Sequence, residues 1–250
     1  MKNASLKEIK EILKEADFPD IQEYIDILSK DTRKGAQQLA LRLESERDRL
    51  DKLLSFEKKA YNYGYRLIAG VDEAGRGPLA GPIVAAAVLF PGPIKIRDID
   101  DSKRLSSSKR EYLYEKIKDK ALHVKVSTID VDYIDKYNIF NANTKAIKKA
   151  VTGLGTSPEF VLIDGNDNIS FDFPHKCIKK GDRKSLSIAA ASIIAKVERD
   201  RLMVKYDEMY PEYKFAKHKG YGTAEHIEKI GKYGLSPIHR KSFKIKGISN

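Results

Sequence analysis

The segment that decides the fold is residues 67–80, which read LIAGVDEAGRGPLA. Its apolar start predicts a buried strand over residues 66–71. The acids Asp72 and Glu73 follow where we expect the strand to end, and a glycine-rich turn follows them. Acids resist burial and glycines make the chain more flexible, so this combination destabilises the fold and indicates a functional role. It predicts a metal site with a bend directly after Asp72, because neighbouring side chains of a straight strand point to opposite faces.

The composition predicts a soluble globular protein. The 250 residues are 41% hydrophobic and 33% charged, enough for one large domain with or without a small appendage. No apolar stretch reaches the roughly 18 residues that span a bilayer, and the first residues lack the apolar core of a secretory signal. The single cysteine, Cys177, excludes a disulfide framework and a thiolate metal cluster. We expect a cytoplasmic monomer with no membrane partner.

The positive charge is confined to the part of the chain that carries these acids. Residues 1–60 hold 13 basic and 13 acidic side chains, so the net charge of +11 belongs to residues 61–250. A basic excess around a locally acidic site predicts a polyanionic partner. Because many soluble domains are basic, charge alone does not decide whether that partner is a nucleic acid.

Residues 1–62 are predicted to form a helical N-terminal extension. Ser5 and Glu8 have the spacing of a capping box at the start of a first helix. Two interpretations stay open, a small bundle packed on itself or on the main domain, and an accessory surface for substrate or a partner protein. The neutral charge favours a role in positioning or stability over a grip on phosphates. The first helix carries one apolar face (Ile9, Ile12, Leu13, Ala16), a break at residues 18–20 ends it, and further helical segments cover residues 21–28 and 33–59.

Residues 63–250 are predicted to form an α/β domain with a mixed sheet and a basic, helical C-terminal region. The predicted strands are residues 66–71, 83–90, 121–129, 160–163 and 175–178. The predicted helices are residues 109–120, 143–154, 185–208 and 225–233. Close helix packing is expected for the alanines at 189–191.

Two further acids repeat the position of the first pair. Asp164 follows the predicted strand at 160–163, and ligands gather at the carboxyl ends of strands in α/β sheets. Asp182 directly precedes the longest predicted helix. Each has a plainer alternative, a turn residue for Asp164 and a helix cap for Asp182.

Together, Asp72, Glu73, Asp164 and Asp182 form a set of four oxygen ligands that suits Mg²⁺ or Mn²⁺ better than Zn²⁺. Two such ions about 3.5–4 Å apart would activate a water and stabilise the leaving oxygen in phosphodiester cleavage. The acids would repel one another without cations, so bound metal explains why they coexist.

Basic and hydroxyl side chains in three segments are candidates for phosphate contacts. Tyr221 stands between two glycines, where it is either an exposed ring or a partly buried turn residue. His218 is either a proton relay or a surface residue. The candidate phosphate contacts are Lys103, Lys184, Ser185 and Lys219.

Seven ordered motifs resemble the ribonuclease HII family, the type 2 ribonucleases H, over about residues 65–245. They are AGVDEAGRGPLAGP at 69–82, DSKRLS at 101–106, LIDG at 162–165, KGD at 180–182, residues 187–200, HKGY at 218–221 and PIHR at 237–240. The resemblance implies a ribonuclease H-like five-stranded mixed sheet with flanking helices. It also implies cleavage of RNA in RNA–DNA hybrids and on the 5′ side of single ribonucleotides in duplex DNA, leaving 3′-hydroxyl and 5′-phosphate ends.

The resemblance also assigns residues. The four carboxylates match the family's catalytic ligands for two metal ions. Gly75, Arg76 and Gly77 match the segment that senses the ribose 2′-hydroxyl, and Tyr221 matches the tyrosine that packs on the sugar at the RNA–DNA junction. Arg76 and Tyr221 argue against the sister ribonuclease HIII type, which has lysine in that segment. The extension at 1–62 lies outside the core resemblance.

Two alternatives stay open on the residues alone. A junction resolvase or integrase-type nuclease of the same fold also uses clustered acids, but it has no purpose for a segment that reads a ribose. A basic nucleic-acid-binding module would use the acids as turn caps and would bind no metal.

Overall fold

The computed structural model describes residues 4–15, 21–165, 169 and 171–245. Within this part of the chain, five strands form one mixed sheet in the order β3-β2-β1-β4-β5. The two pairs β1–β2 and β2–β3 are antiparallel, while β1–β4 and β4–β5 are parallel. The strands are β1 Ile68–Ala74, β2 Ile83–Leu89, β3 His123–Ile129, β4 Phe160–Asp164 and β5 His175–Ile178.

The helices of the described residues lie in the N-terminal extension, on both faces of the sheet and near the C-terminus. In the extension they are α1 Leu6–Glu15, α2 Ile21–Ser29, α3 Lys34–Leu53 and α4 Ser55–Asn62. Around and beyond the sheet they are α5 Ser107–Lys120, α6 Val131–Thr152, α7 Leu186–Met209, α8 Phe215–His218 and α9 Ala224–Tyr233. No helix among them is long and apolar enough to cross a membrane.

Two apolar layers enclose the sheet. Helices α5 and α7 cover one face, and α6 covers the other with a core that includes Ile147 and Val151. The alanines at 189–191 are fully buried in the α7 layer, which confirms the close packing predicted for them. Gly70 of β1 permits this approach, because a Cβ there would overlap the backbone of Ser187 at the start of α7.

The extension has its own apolar core and a second contact with the sheet domain. Helices α1, α2 and α3 pack together, and Ser5 and Glu8 form the predicted capping box with N–H···O distances of 2.7 and 3.2 Å. Leu50, Leu53 and Leu54 instead join the core beneath α7. The compact-bundle interpretation therefore describes this region, which packs both on itself and on the main domain.

The structure corrects three element boundaries. Strand β1 does not end at residue 71 but stays paired with β2 through Ala74. Helix α6 begins at Val131, well before the predicted residue 143, and contains a non-helical residue at Asn138. The predicted segment 33–59 is two helices that meet at Leu54.

The apolar face predicted for the first helix is confirmed only in part. Ile9 and Leu13 are buried as predicted, but Ile12 is 43% exposed. Ala16 and the predicted break at residues 18–20 lie outside the described residues.

Candidate active site

The candidate site lies at the carboxyl edge of the two central parallel strands. Val71 of β1 pairs with Ile163 of β4, so the next residues along the two strands are Asp72 and Asp164. Strand β1 is buried up to this point, and β4 ends there with a glycine that follows at positive φ. Parallel register therefore places two acids from distant parts of the sequence side by side.

Asp72 and Glu73 lie on opposite faces of β1. Asp72 accepts a bond from the Glu73 N–H at 2.7 Å, and the nearby Ser192 of α7 lowers its pKa. Asn143 of α6 lies near Glu73 and lowers the pKa of that carboxyl. The predicted bend directly after Asp72 is wrong, because β1 stays paired with β2 through Ala74.

The first three acids are close enough for the charge of Asp164 to raise the pKa values of Asp72 and Glu73. Burial raises the pKa of Asp72 well above its ordinary value, and the charges of Glu73 and Asp164 raise it further. Burial also raises the pKa of Glu73 to about 7, against the opposing effect of the Arg76 guanidinium. The pKa of Asp164 is raised by burial, although the Gly181 N–H donates to its Oδ1 at 2.5 Å. A cation placed among them would relieve this repulsion.

Asp182 joins the cluster through the short 3₁₀ turn Gly181–Arg183 that precedes α7. Burial raises its pKa to about 6, and the charges of Asp101 and Asp164 add to the effect. Asp101 is buried and accepts hydrogen bonds from Arg183 and from the backbone of Lys103. Asp182 is not the cap of α7, because Ser185 fills that role by accepting a bond from the Ile188 N–H.

The donor set of the cluster fits a hard divalent cation. Every candidate ligand is a carboxylate oxygen, the chemistry that Mg²⁺ and Mn²⁺ select. Within the described residues, no three His, Cys, Asp or Glu side chains lie close enough to enclose an ion as they stand. The acids are neighbours whose oxygens are partly engaged by backbone N–H groups, so binding would require carboxylate rotation.

Arg240 holds the buried side of the turn that follows β1. Its guanidinium is buried and donates to the carbonyl oxygens of Gly75, Arg76 and Gly81 at 2.5–3.0 Å. Gly75 has a φ of 99°, and a Cβ there would collide with the side chain of Arg199. The glycine is therefore required twice, by the backbone angle and by the packing.

Arg199 ties this turn to the loop that carries Tyr221. It donates to the carbonyl oxygens of Ala80, Pro82 and Lys219 at 3.0–3.1 Å. The backbones also meet directly, with the Leu79 N–H donating to Gly220 at 2.8 Å. A Cβ on Gly77 would lie 3.9 Å from Cε1 of Tyr221, so the predicted ribose-sensing turn and tyrosine are neighbours.

The other predicted contacts divide by exposure. Lys103 and Lys184 are exposed, and the charge of Lys103 acts on Asp164 and Asp182. Lys219 is half-buried and donates to the carbonyl of Ala216 at 2.5 Å.

Two predicted residues are held inside the protein. Ser185 is fully buried and donates to Glu57, so its hydroxyl is not available to a phosphate. His218 is buried with both ring nitrogens hydrogen bonded, to Tyr213 and Gly220, so it is neither a surface residue nor a free proton relay. Tyr221, in contrast, is 44% exposed.

Several residues of this site were missed by the sequence reasoning. Asp101, Arg199 and Arg240 lie inside the stretches that resemble the family, but no role could be inferred for them from the sequence. Asn143 lies in a predicted helix and carries no local signal of its contact with Glu73. Arg199 also resembles an ordinary helix-surface cation until the fold buries it.

Comparison with known proteins identifies the family on both parts of the chain. The sequence profile described as Ribonuclease HII matches residues 69–246, and the one described as Ribonuclease HII N-terminal domain matches residues 5–61. Ribonuclease HII of Clostridioides difficile (strain 630) is 48% identical over 250 residues, covering 97% of this chain and 98% of the relative.

Solved structures agree with the fold. Ribonuclease H2 from Pyrococcus horikoshii OT3 superposes with a TM-score of 0.59 at 27% identity, covering 71% of this chain and 94% of that one. Bst-RNase HIII in complex with Mn²⁺ shares the fold at 22% identity, with a TM-score of 0.53 and coverage of 74% and 69%. With its carboxylate cluster, its glycine turn and these matches, the chain belongs to the ribonuclease HII family and is a nuclease of the ribonuclease H type.

Proposed function

We propose that the protein hydrolyses the RNA strand of RNA–DNA hybrids and also cuts on the 5′ side of single ribonucleotides in duplex DNA. The observation that carries this proposal is the contact between Arg76 Nη1 and Glu73 Oε1 at 3.4 Å. It joins the turn that would recognise a ribose to the acids that would hold the metal. Cleavage and substrate choice then belong to one continuous segment of β1 and its turn.

The metal ligands in this proposal are Asp72, Glu73, Asp164 and Asp182. Two Mg²⁺ or Mn²⁺ ions, when bound, would supply an activated water and stabilise the leaving oxygen, which yields 3′-hydroxyl and 5′-phosphate ends. Ser192 and Asn143, which lie near the first two carboxylates on opposite sides of β1, would orient them. No side chain has to act as a nucleophile.

Recognition of the ribonucleotide would fall to the turn at Gly75, Arg76 and Gly77 together with Tyr221. Arg240 fixes the backbone of this turn by donating to the carbonyl oxygens of Gly75 and Arg76, while the Arg76 side chain is 44% exposed. The exposed ring of Tyr221 beside Gly77 offers an apolar surface for a sugar. Only RNA presents a 2′-hydroxyl at this place.

The phosphates of the duplex would be held by cations of the catalytic domain, for which the exposed Lys103 and Lys184 and the half-buried Lys219 are the candidates. We place the domain boundary between residues 62 and 63, where α4 has ended and β1 has not begun. The extension then contributes packing to a protein that we expect to act as a monomer in the cytoplasm.

The experiment uses three duplexes: one with a single ribonucleotide, its all-DNA counterpart, and a long hybrid. Each is incubated with the protein and Mg²⁺ or Mn²⁺, and the cut is mapped. We expect cleavage 5′ of the ribonucleotide and within the hybrid RNA, with the all-DNA duplex intact. Cleavage of the all-DNA duplex would favour the resolvase alternative, and binding without cleavage would favour a binding module.

The Asp72→Asn variant tests whether cleavage in this experiment depends on the carboxylate cluster. Asp72→Asn should abolish turnover while hybrid binding stays within about threefold, because the amide keeps the shape but loses the charge that holds a cation. The matched control is Asp119→Asn, on an exposed position of α5, which should keep full activity.

A further inference from the structure

A chain of buried hydrogen bonds ends on the backbone of Tyr221. Its members are Ser236, His239 and His226, and we call it the histidine chain. His226 and His239 are 0% and 1% exposed. The three links are Ser236 N to His239 Nδ1 at 2.9 Å, His239 Nε2 to His226 Nε2 at 3.0 Å, and His226 Nδ1 to the Tyr221 carbonyl at 2.9 Å.

The chain determines which ring nitrogens carry protons. His239 Nδ1 accepts from a backbone N–H, so the proton of neutral His239 is on Nε2. That proton is donated to Nε2 of His226, which therefore has its own proton on Nδ1. A carbonyl can only accept, so the last link requires the same Nδ1–H form of His226. Burial keeps both rings neutral, since it lowers their pKa values to about 4.

Neighbouring rings hold His226 in one orientation. His218 stacks on it with ring centroids 4.2 Å apart, and Phe215 meets it edge-on at 5.5 Å. His218 is itself fixed, because its Nε2 bonds the Tyr213 carbonyl at 2.8 Å and its Nδ1 accepts from the Gly220 N–H at 3.2 Å. The donor aimed at Tyr221 thus has little freedom.

Tyr221 lies in a loop with a glycine on each side, of which Gly220 has a φ of 83°, and the residue is 44% exposed. Its backbone makes two local bonds: its N–H donates to the His218 carbonyl at 3.0 Å, and its carbonyl accepts from the Thr223 N–H at 2.8 Å. His226 is the buried side chain that bonds the Tyr221 carbonyl itself.

We propose that His226 is a positioning residue that acts through Tyr221, holding the tyrosine ring beside Gly77 in the geometry that receives the sugar. This inference rests on the proposed role of Tyr221 in substrate binding. His226 touches neither substrate nor metal in this scheme, and the rest of the histidine chain fixes its proton and its ring.

The first test reads the proton position directly. Long-range ¹H–¹⁵N NMR of the full chain at pH 7 should show His226 as the Nδ1–H form, and His218 and His239 as Nε2–H forms. Nε2–H or doubly protonated His226 would overturn the proposal.

The second test is a double-mutant cycle on a duplex with one ribonucleotide. His226→Phe keeps the ring volume and removes the donor, so we expect KM to rise about tenfold with kcat within about twofold. His226→Asn places an amide donor near the Nδ1 position and should restore most of the loss. In a Tyr221→Ala background, His226→Phe should have no further effect.

The outcomes separate the two proposals. An unchanged KM in Tyr221→Ala alone would remove the proposed role of Tyr221 and leave the NMR result standing. A cost of His226→Phe that persists in the Tyr221→Ala background would overturn positioning through Tyr221. His123→Phe, at the opposite end of the sheet, is the control and should change neither parameter, and all assays run below the lowest unfolding midpoint.

Discussion

At the scale of single residues, the site divides into what local sequence predicts and what only the fold brings together. Asp72 and Asp164 were predictable, because each acid follows an apolar run and strand ends collect ligands. Asn143, Arg199 and Arg240 were not, because their roles depend on partners far along the chain. The proximity of Asn143 to Glu73 and the hydrogen bonds of the two arginines to the turn exist only once the layers have packed.

Arg240 shows how one buried residue can support the turn. Arg240→Lys keeps a positive charge but cannot donate to three carbonyl oxygens with one fixed planar group. Since unsatisfied buried acceptors are costly, we expect the free energy of unfolding to fall by about 2–4 kcal/mol. Urea unfolding of the full chain measures this change.

The matched control for Arg240→Lys is Arg104→Lys on the surface. The Arg104 side chain is 61% exposed and pairs with Asp100, so its replacement should change stability by less than about 0.5 kcal/mol. Equal effects of the two substitutions would show that Arg240 does not hold the turn.

At the scale of elements, the sequence predicted the strands well and the helix boundaries less well. The apolar runs located all five strands, but the acids of β1 hid its last residues because acids are rare in strands. The early start of α6 was missed since its break at Asn138 resembles a loop. There Asn138 accepts a bond from the Asn141 N–H, which starts the second part of the helix.

The packing of α7 on β1 depends on Gly70. Gly70→Ala would push a methyl group into the backbone of Ser187, which cannot move without displacing the helix that carries Ser192. We expect a loss of about 2–4 kcal/mol in the free energy of unfolding, measured by urea denaturation. Gly231→Ala in α9 meets open space and should stabilise the protein by up to about 1 kcal/mol. Similar effects of both changes would contradict the packing described here.

The contact of α9 with its neighbouring turn predicts a pH dependence of stability. His226 and His239 titrate at about 4 in the folded protein and near 6.5 when unfolded, and each faces the other and His218. Their contribution is complete above pH 6.5 and is lost as pH falls toward 4, because the unfolded state then binds more protons.

The measurement is urea unfolding between pH 7 and pH 4.5 for the wild type and His226→Phe. The wild type should lose up to about 3 kcal/mol more than the variant over this range. Equal pH slopes for the two proteins would contradict the neutral state assigned to His226.

At the scale of the whole molecule, the extension and the catalytic domain differ in charge and in role. The extension is neutral, while residues 61–250 carry the entire excess charge. Leu50 and Leu53 pack beneath α7, and Glu57 accepts hydrogen bonds from Ser185 and Ser187 at the start of α7. The sequence did not predict these contacts with the α7 region. They favour a supporting role for the extension.

This division predicts which lysines set the salt dependence of hybrid binding. Removing Lys103 and Lys184 together should lower the slope of log K against log salt by about 2, since each phosphate contact contributes about 1. Replacing the exposed Lys34 and Lys52 of the extension by Gln should leave the slope unchanged. Fluorescence anisotropy at several salt concentrations measures both, and a shallower slope for the extension variant would show that the extension grips phosphates.

We propose that the acids at the edge of β1 and β4 hold the metal that cleavage requires. The most direct measurement is calorimetric titration of Mn²⁺ into the full chain bound to a duplex that contains one ribonucleotide and cannot be cut, compared with Asp72→Asn and Asp119→Asn. We expect Mn²⁺ to bind the wild type and Asp119→Asn, and to bind Asp72→Asn at least about tenfold more weakly. Equal Mn²⁺ affinity in all three proteins, or no binding to any of them, would contradict it.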